Sequence, residues 1–218
     1  MKKNLIFTFL ILIATHAQSQ IIFFHTGKTL SNFLYQDSNG NKLEDLKGAN
    51  ENSLAVGGRY SVNQSPFHVS GYATYHKYGA EGSNNEIGNY YKWDVTYLGI
   101  NLAIDYEFFQ PSLNMNKQEG FSVYPKLATS AEFLLNGTQY LNNEVFDLQG
   151  VEEFDKPLYF VKAGIGTNYY ISKKLKLYLE YMYGQSFLIG NYKNEEQLRI
   201  TTHTLSVGIA VNLFFINE

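Results

Sequence analysis

The chain has 218 residues, a formal net charge of -3, 18 Tyr, 16 Phe, no Cys and 17% charged residues, against about 25% charged in an ordinary soluble domain. Without cysteine there is no disulfide framework, thiolate metal site, Cys nucleophile or lipidated cysteine anchor, and a weak negative charge with no basic run excludes an electrostatic nucleic-acid binder. The length suits a single domain with a sizeable core, and all-β barrels of about 200 residues commonly stay undivided.

Lys2 and Lys3 stand ahead of the almost wholly apolar residues 4–14, and Ala17-Gln18-Ser19 follows. This pattern predicts a secretory signal peptide over residues 1–19, cleaved after Ser19. Its apolar run is shorter than the roughly 20 residues a bilayer-spanning helix needs. No later stretch is long and apolar enough either, so the mature domain, residues 20–218, would have to cross a membrane as a closed barrel.

Residues 21–35 predict a first strand of unsettled register, and the polar residues 36–51 a long loop containing Asp37-Ser38-Asn39-Gly40. A second strand follows at 54–62, where Leu54, Val56, Gly58, Tyr60 and Val62 alternate with Ala55, Gly57, Arg59 and Ser61. Asn63-Gln64-Ser65-Pro66 predicts a tight turn. In 67–77, Phe67, Val69, Gly71, Ala73 and Tyr75 oppose His68, Ser70, Tyr72, Thr74 and His76, and 78–89 reads as a polar loop. Within 90–109, Leu98, Ile100, Leu102, Ile104 and Tyr106 oppose Gly99, Asn101, Ala103, Asp105 and Glu107; the apolar Trp93 and Val95 fall out of this phase and predict either a bulge or a strand running into the loop region.

Residues 110–120 connect to a strand at 121–134, in which Pro125 lacks a ladder donor and predicts a second bulge. A long loop is expected at 136–156, with Asn136-Gly137-Thr138 as a tight turn that also has the form of a glycosylation sequon. Strands at 159–171 and 175–184 flank the short turn Ser172-Lys173-Lys174, and the polar loop 191–197 leads to the closing strand. In that last stretch, 204–215, Leu205, Val207, Ile209, Val211, Leu213 and Phe215 alternate with Thr204, Ser206, Gly208, Ala210 and Asn212.

About eight strands result, with the long connections after the first, third, fifth and seventh. That asymmetry, the aliphatic faces and the aromatic residues near strand ends predict an all-β fold: an antiparallel up-and-down transmembrane β-barrel with long extracellular loops and short periplasmic turns. The last strand is expected to close on the first. The opening strand with Thr29-Leu30-Ser31-Asn32-Phe33, the segment Tyr97-Leu98-Gly99-Ile100 and the ending Asn212-Leu213-Phe214-Phe215 resemble the outer-membrane β-barrel domain family of Bacteroidota. The resemblance implies a bacterial outer-membrane location, with outer-membrane lipid and the barrel-insertion machinery as partners. In such barrels a near-terminal aromatic resembles the insertion signal, although here Ile216-Asn217-Glu218 follow it.

With the polar faces inward, Arg59, Lys126, Lys162 and Lys176 share a narrow lumen with Asp105, Glu107, Glu132 and Glu180. An eight-stranded barrel is only wide enough for side chains to fill it, and charges buried there must pair. The expectation is a salt-bridged plug; the alternative is a narrow gated pore for small solutes. No cofactor or metal is expected: Asp37-Ser38-Asn39-Gly40-Asn41 hints at a Ca²⁺ loop, but Lys42 and Gly48 occupy the positions where an EF-hand needs Gly and Glu. No catalytic residue is assigned. A lipid-modifying enzyme would need a Ser/His pair, and the nearest candidates, His203 and Ser186, lie on different faces. A soluble periplasmic ligand-binding barrel is the remaining alternative. The acidic clusters Glu44-Asp45 and Glu152-Glu153-Asp155 make the long loops the expected place for an extracellular ligand or membrane-complex partner.

Overall fold

The computed structural model describes residues 20–36, 46–84, 89–109, 120–142, 144–172, 174–187 and 197–213. The expected signal peptide, the Asp37-Ser38-Asn39-Gly40 loop and most of the 110–120 and 191–197 connections lie outside them. Among the described residues nine strands follow in order: β1 (Gln20–Gln36), β2 (Lys47–Ser61), β3 (Phe67–Asn84), β4 (Asn89–Tyr106), β5 (Gly120–Leu141), β6 (Glu144–Asp147), β7 (Leu158–Tyr170), β8 (Leu175–Phe187) and β9 (Gln197–Asn212). One helical turn, α1 (Glu152–Asp155), lies between β6 and β7.

All strands except β6 form a closed antiparallel ring, in which β9 pairs with β1 from Ile21↔Asn212 to Gln36↔Gln197. The barrel therefore closes between its first and last strands, as expected. β6 pairs with β5 alone and stands outside the ring. Paired residues followed once round, from Ile22 through Gly58, Gly71, Leu102, Thr129, Val161, Gln185 and Thr201, return to Asn32, ten residues further along β1. That stagger over eight strands corresponds to a tilt of about 40° from the barrel axis.

Alternation sets the two faces. Ile100 and Leu102 are 63% and 62% exposed, whereas Asn101 and Ala103 between them are 1% and 3% exposed. The exposed apolar set runs right round the barrel, through Val56, Leu127, Val161, Ile165, Leu179 and Val207. This far exceeds the few hundred Å² of contiguous apolar surface that a soluble monomer tolerates.

Three expectations change or narrow. Parts of the expected loops are strand: β2 starts at Lys47, β3 and β4 run on to Asn84 and from Asn89, and β5 continues to Leu141. Asn136-Gly137-Thr138 thus lies within β5, with Gly137 against Val95 and Leu148, rather than in a turn. These strands leave the apolar belt and enter water, so they lose the apolar alternation that marks the rest. Secondly, of the two readings of Trp93 and Val95 it is the strand running on into the loop region that the structure shows, with both residues in the inward phase of Tyr97 and Gly99. The interior itself becomes apolar at this height, and the irregularity sits on the partner strand, where Leu135 is the extra residue between Thr96↔Asn136 and Tyr97↔Leu134. Thirdly, Pro125 inserts nothing: Asp105↔Lys126 and the Phe108↔Val123 bridge share one register, and the ladder skips the two pairs between them, one of which sets Pro125, with no N–H, opposite Tyr106.

Candidate functional site

The inward faces build a packed column in three ionic groups under an apolar cap. In the group nearest the start of β1, Arg59 from β2 donates through Nε to Asp105 Oδ2 at 3.1 Å and through Nη2 to Asp105 Oδ1. The same Nη2 donates to His68 Nδ1 at 3.1 Å and to Glu107 Oε2 at 3.4 Å. Glu107 also accepts from the Ser122 and Tyr170 hydroxyls and from Asn168 Nδ2 at 2.8 Å, with Lys176 Nζ 3.8 Å away.

One step up, Lys126 Nζ donates to Glu180 Oε2 at 2.9 Å, and the Tyr124 hydroxyl donates to the same oxygen at 3.0 Å. The Lys126 ammonium lies 5.0 Å from the Tyr72 ring centre, and His25 Nδ1 meets the Tyr178 hydroxyl at 2.9 Å. In the third group, Glu132 accepts from Lys162 Nζ at 2.7 Å, from the Tyr78 hydroxyl at 2.7 Å and from Ser130 Oγ at 3.0 Å. All eight charged residues singled out in the sequence lie inside the barrel and are buried. Each carboxylate thus faces at least one cation, the arrangement a low-dielectric interior requires.

Glycines opposite tyrosines create the space for this column. Tyr124 pairs with Gly166 and Tyr178 with Gly208. A Cβ on Gly166 would lie 2.3 Å from Tyr124 Cζ, and one on Gly208 would lie 2.5 Å from Tyr178 Cζ. Both rings therefore lie flat over bare backbone with their hydroxyls reaching into the ionic groups. Gly166→Ala is expected to destabilise the barrel by about 1–3 kcal/mol through overpacking, read as a lower urea midpoint in detergent micelles.

Above Glu132 the interior turns apolar. Phe33, Tyr78, Trp93, Val95, Tyr97, Leu158, Phe160, Leu198 and Ile200 from the strands pack with Leu148 and Phe154 from the β5–β7 connection. The Tyr97 hydroxyl donates to Phe154 O at 3.2 Å, which pins α1 over the barrel end. Among the described residues, a cavity of about 20 Å³ lies between the lower two ionic groups, lined by Phe23, Arg59, Asp105, Tyr124, Lys126 and Glu180 with others. That volume holds about one water molecule.

Ser186 and His203 do not come together. Ser186 faces the lumen, where its Oγ accepts the Ile200 N–H at 2.7 Å, while His203 faces outward with Nδ1 2.7 Å from the Tyr181 hydroxyl. The Tyr124 and Tyr170 hydroxyls, Asn168 and His68 are legible from the sequence only as members of polar strand faces, and Tyr78 falls in the expected 78–89 loop. Their role as partners of the carboxylates follows from the stagger, which no single strand reveals.

No protein-family model matches the chain, and no curated protein does either. Among solved structures, Neisserial surface protein A is similar at 14% identity and a TM-score of 0.51, covering 88% of this chain and 97% of that one. OprG from Pseudomonas aeruginosa is similar at 10% identity and a TM-score of 0.49, covering 91% and 98%. The N-terminal β-barrel domain of Pseudomonas aeruginosa OprF is similar at 12% identity and a TM-score of 0.44, covering 90% and 98%. The architecture is that of the small outer-membrane β-barrels, an antiparallel up-and-down ring of eight strands with β6 added outside it.

Proposed function

We propose that the chain is a small integral protein of a bacterial outer membrane, delivered by a cleaved signal peptide, whose lumen is sealed and whose role is structural or surface-binding, exercised at its cell-exterior end. The observation that carries this reading is the packing of the lumen from Lys176 and Glu107 to the Phe154 cap. A gated pore would need a continuous aqueous path past all of it.

The outer surface supports insertion in a bilayer. A lower aromatic ring comprises Tyr60, Phe67, Tyr106, Phe108, Phe121 and Tyr169; an upper one comprises Tyr75, Phe133, Tyr159, Tyr183 and Phe187. Rings of this kind mark the two interfaces of a membrane barrel. The outward charges Lys28, Lys77 and Arg199 enter only towards the upper end. Resemblance to the Bacteroidota barrel family agrees with this location and adds no catalytic role. In planar bilayers the purified protein is expected to give no stable openings, and sizeable conducting states would overturn the sealed lumen. Membrane fractions are expected to hold the protein, with heat-dependent migration in SDS; recovery from the soluble periplasm would overturn insertion itself.

A further inference from the structure

With the lumen filled, binding must fall to the part of the barrel beyond the upper aromatic ring, and there the chain leaves one sheet edge exposed. The β5–β6 hairpin turns at Asn142, whose φ is 55°, a left-handed conformation that asparagine tolerates. Asn142 N–H donates to Tyr90 O at 2.9 Å, and the Tyr90 N–H donates to Asn142 Oδ1 at 2.9 Å, fastening the turn to β4. β6 pairs with residues 138–141 of β5, well past Phe133 of the upper ring, and all four of its residues are exposed. Val145 is 58% and Phe146 43% exposed, on opposite faces of a strand that, among the described residues, has a partner on one side only.

The direction of its free hydrogen bonds follows from the ladder. Leu148 N–H donates to Gly137 O at 2.9 Å in the register of the β5–β6 pairing. Bonded positions alternate along an antiparallel ladder. Phe146 and Glu144 therefore bond towards β5, and the N–H and C=O groups of Val145 and Asp147 point to the open edge. Such an edge is a template for an added strand.

We infer that the β6 edge docks an extended, basic segment of a partner protein, which adds as a further strand to the sheet formed by β3, β4, β5 and β6. Charge decides the occupant. Glu144 and Asp147 flank the exposed Val145 and Phe146, and Asp155, which accepts the Gly150 N–H at 2.9 Å, lies just beyond. A second copy would bring the carboxylates of both edges into one short ladder with no basic residue on either strand to meet them. Two apolar residues between lysines or arginines match the edge in both backbone and charge. The inference rests on the sealed-lumen reading, because a conducting barrel would not need its rim for function.

The test titrates the full barrel, refolded in dodecyl maltoside, with a fluorescein-labelled peptide in which two valines are flanked on each side by lysines. Saturable binding is expected, weakened about tenfold or more by Val145→Pro, which removes an edge N–H and leaves the β5 ladder intact. N-methylation of the two valines should weaken binding similarly on the unaltered chain, which keeps the test decisive should Val145→Pro disturb folding. Glu144→Lys with Asp147→Lys should shift the preference to a glutamate-flanked peptide. No binding, or equal binding by the N-methylated peptide, overturns strand addition. A concentration-dependent dimer that Val145→Pro abolishes assigns the edge to a second copy and overturns the basic partner. Absence of binding by a barrel that stays closed in planar bilayers counts against the edge alone, whereas conductance counts against the sealed lumen.

Discussion

Glu132→Ala is expected to remove about 3–5 kcal/mol of stability, the penalty for leaving a buried ionic partner uncompensated. Glu132 is fully buried and accepts three hydrogen bonds, from Lys162, Tyr78 and Ser130. Its loss strands the Lys162 ammonium, whose next acceptor, Asn101 Oδ1, is 3.5 Å away. The Tyr78 hydroxyl loses its acceptor as well, and Tyr78 belongs to the apolar cap. The effect should therefore reach Trp93, the only tryptophan of the chain and itself a member of that cap. Urea unfolding in lipid vesicles, followed by Trp93 fluorescence, reads the change directly. Glu132→Leu combined with Lys162→Met should recover most of the loss, since replacing both members of a buried pair with apolar side chains is often neutral or favourable. A single variant that costs under about 1 kcal/mol would show that the pair is solvated and would weaken the packed-column description.

The sequence made the location of these charges legible and left their partners obscure. Alternation in each strand assigns Arg59, Asp105 and Lys162 to the face opposite the aliphatic set, and slipping one strand by a single residue would turn all of its aliphatic residues into the lumen and its charges towards lipid at once. Pairing is a different matter: Lys126 and Glu180 are separated by most of three strands and meet only through the ten-residue stagger. Trp93 and Val95 depart from the phase of the belt for a physical reason. Polar lumen and apolar exterior hold as a rule only at the height of the bilayer, and above it the interior becomes an ordinary apolar core. The same change of solvent hid the ends of β3, β4 and β5 and the whole of β6, whose four residues are too few to show a period. Strand extensions in water carry no lipid-facing pattern, and the β6 edge could not be read without the ladder.

Leu102→Arg is expected to cost about 2–4 kcal/mol in a bilayer, the range for a cationic side chain at the midplane of a membrane barrel. Along β4 the outward residues run Tyr106, Ile104, Leu102, Ile100 and Leu98, so Leu102 is the central one, and it is 62% exposed. Its paired neighbours, Gly71 on β3 and Thr129 on β5, offer no acid to which an arginine could bond. The guanidinium would have to reach along the wall past Ile104 or Ile100 to an interface. The same substitution at Tyr90, beyond the upper ring on the same strand, should cost about 0–1 kcal/mol. Folding efficiency into phosphatidylcholine vesicles, scored by the heat-sensitive band in SDS, separates the two positions. A soluble barrel would respond the other way: its exposed Leu102 would meet water, arginine there would be neutral, and no contrast with Tyr90 would arise. The contrast between these two exposed residues therefore discriminates lipid from water as the solvent of the outer wall.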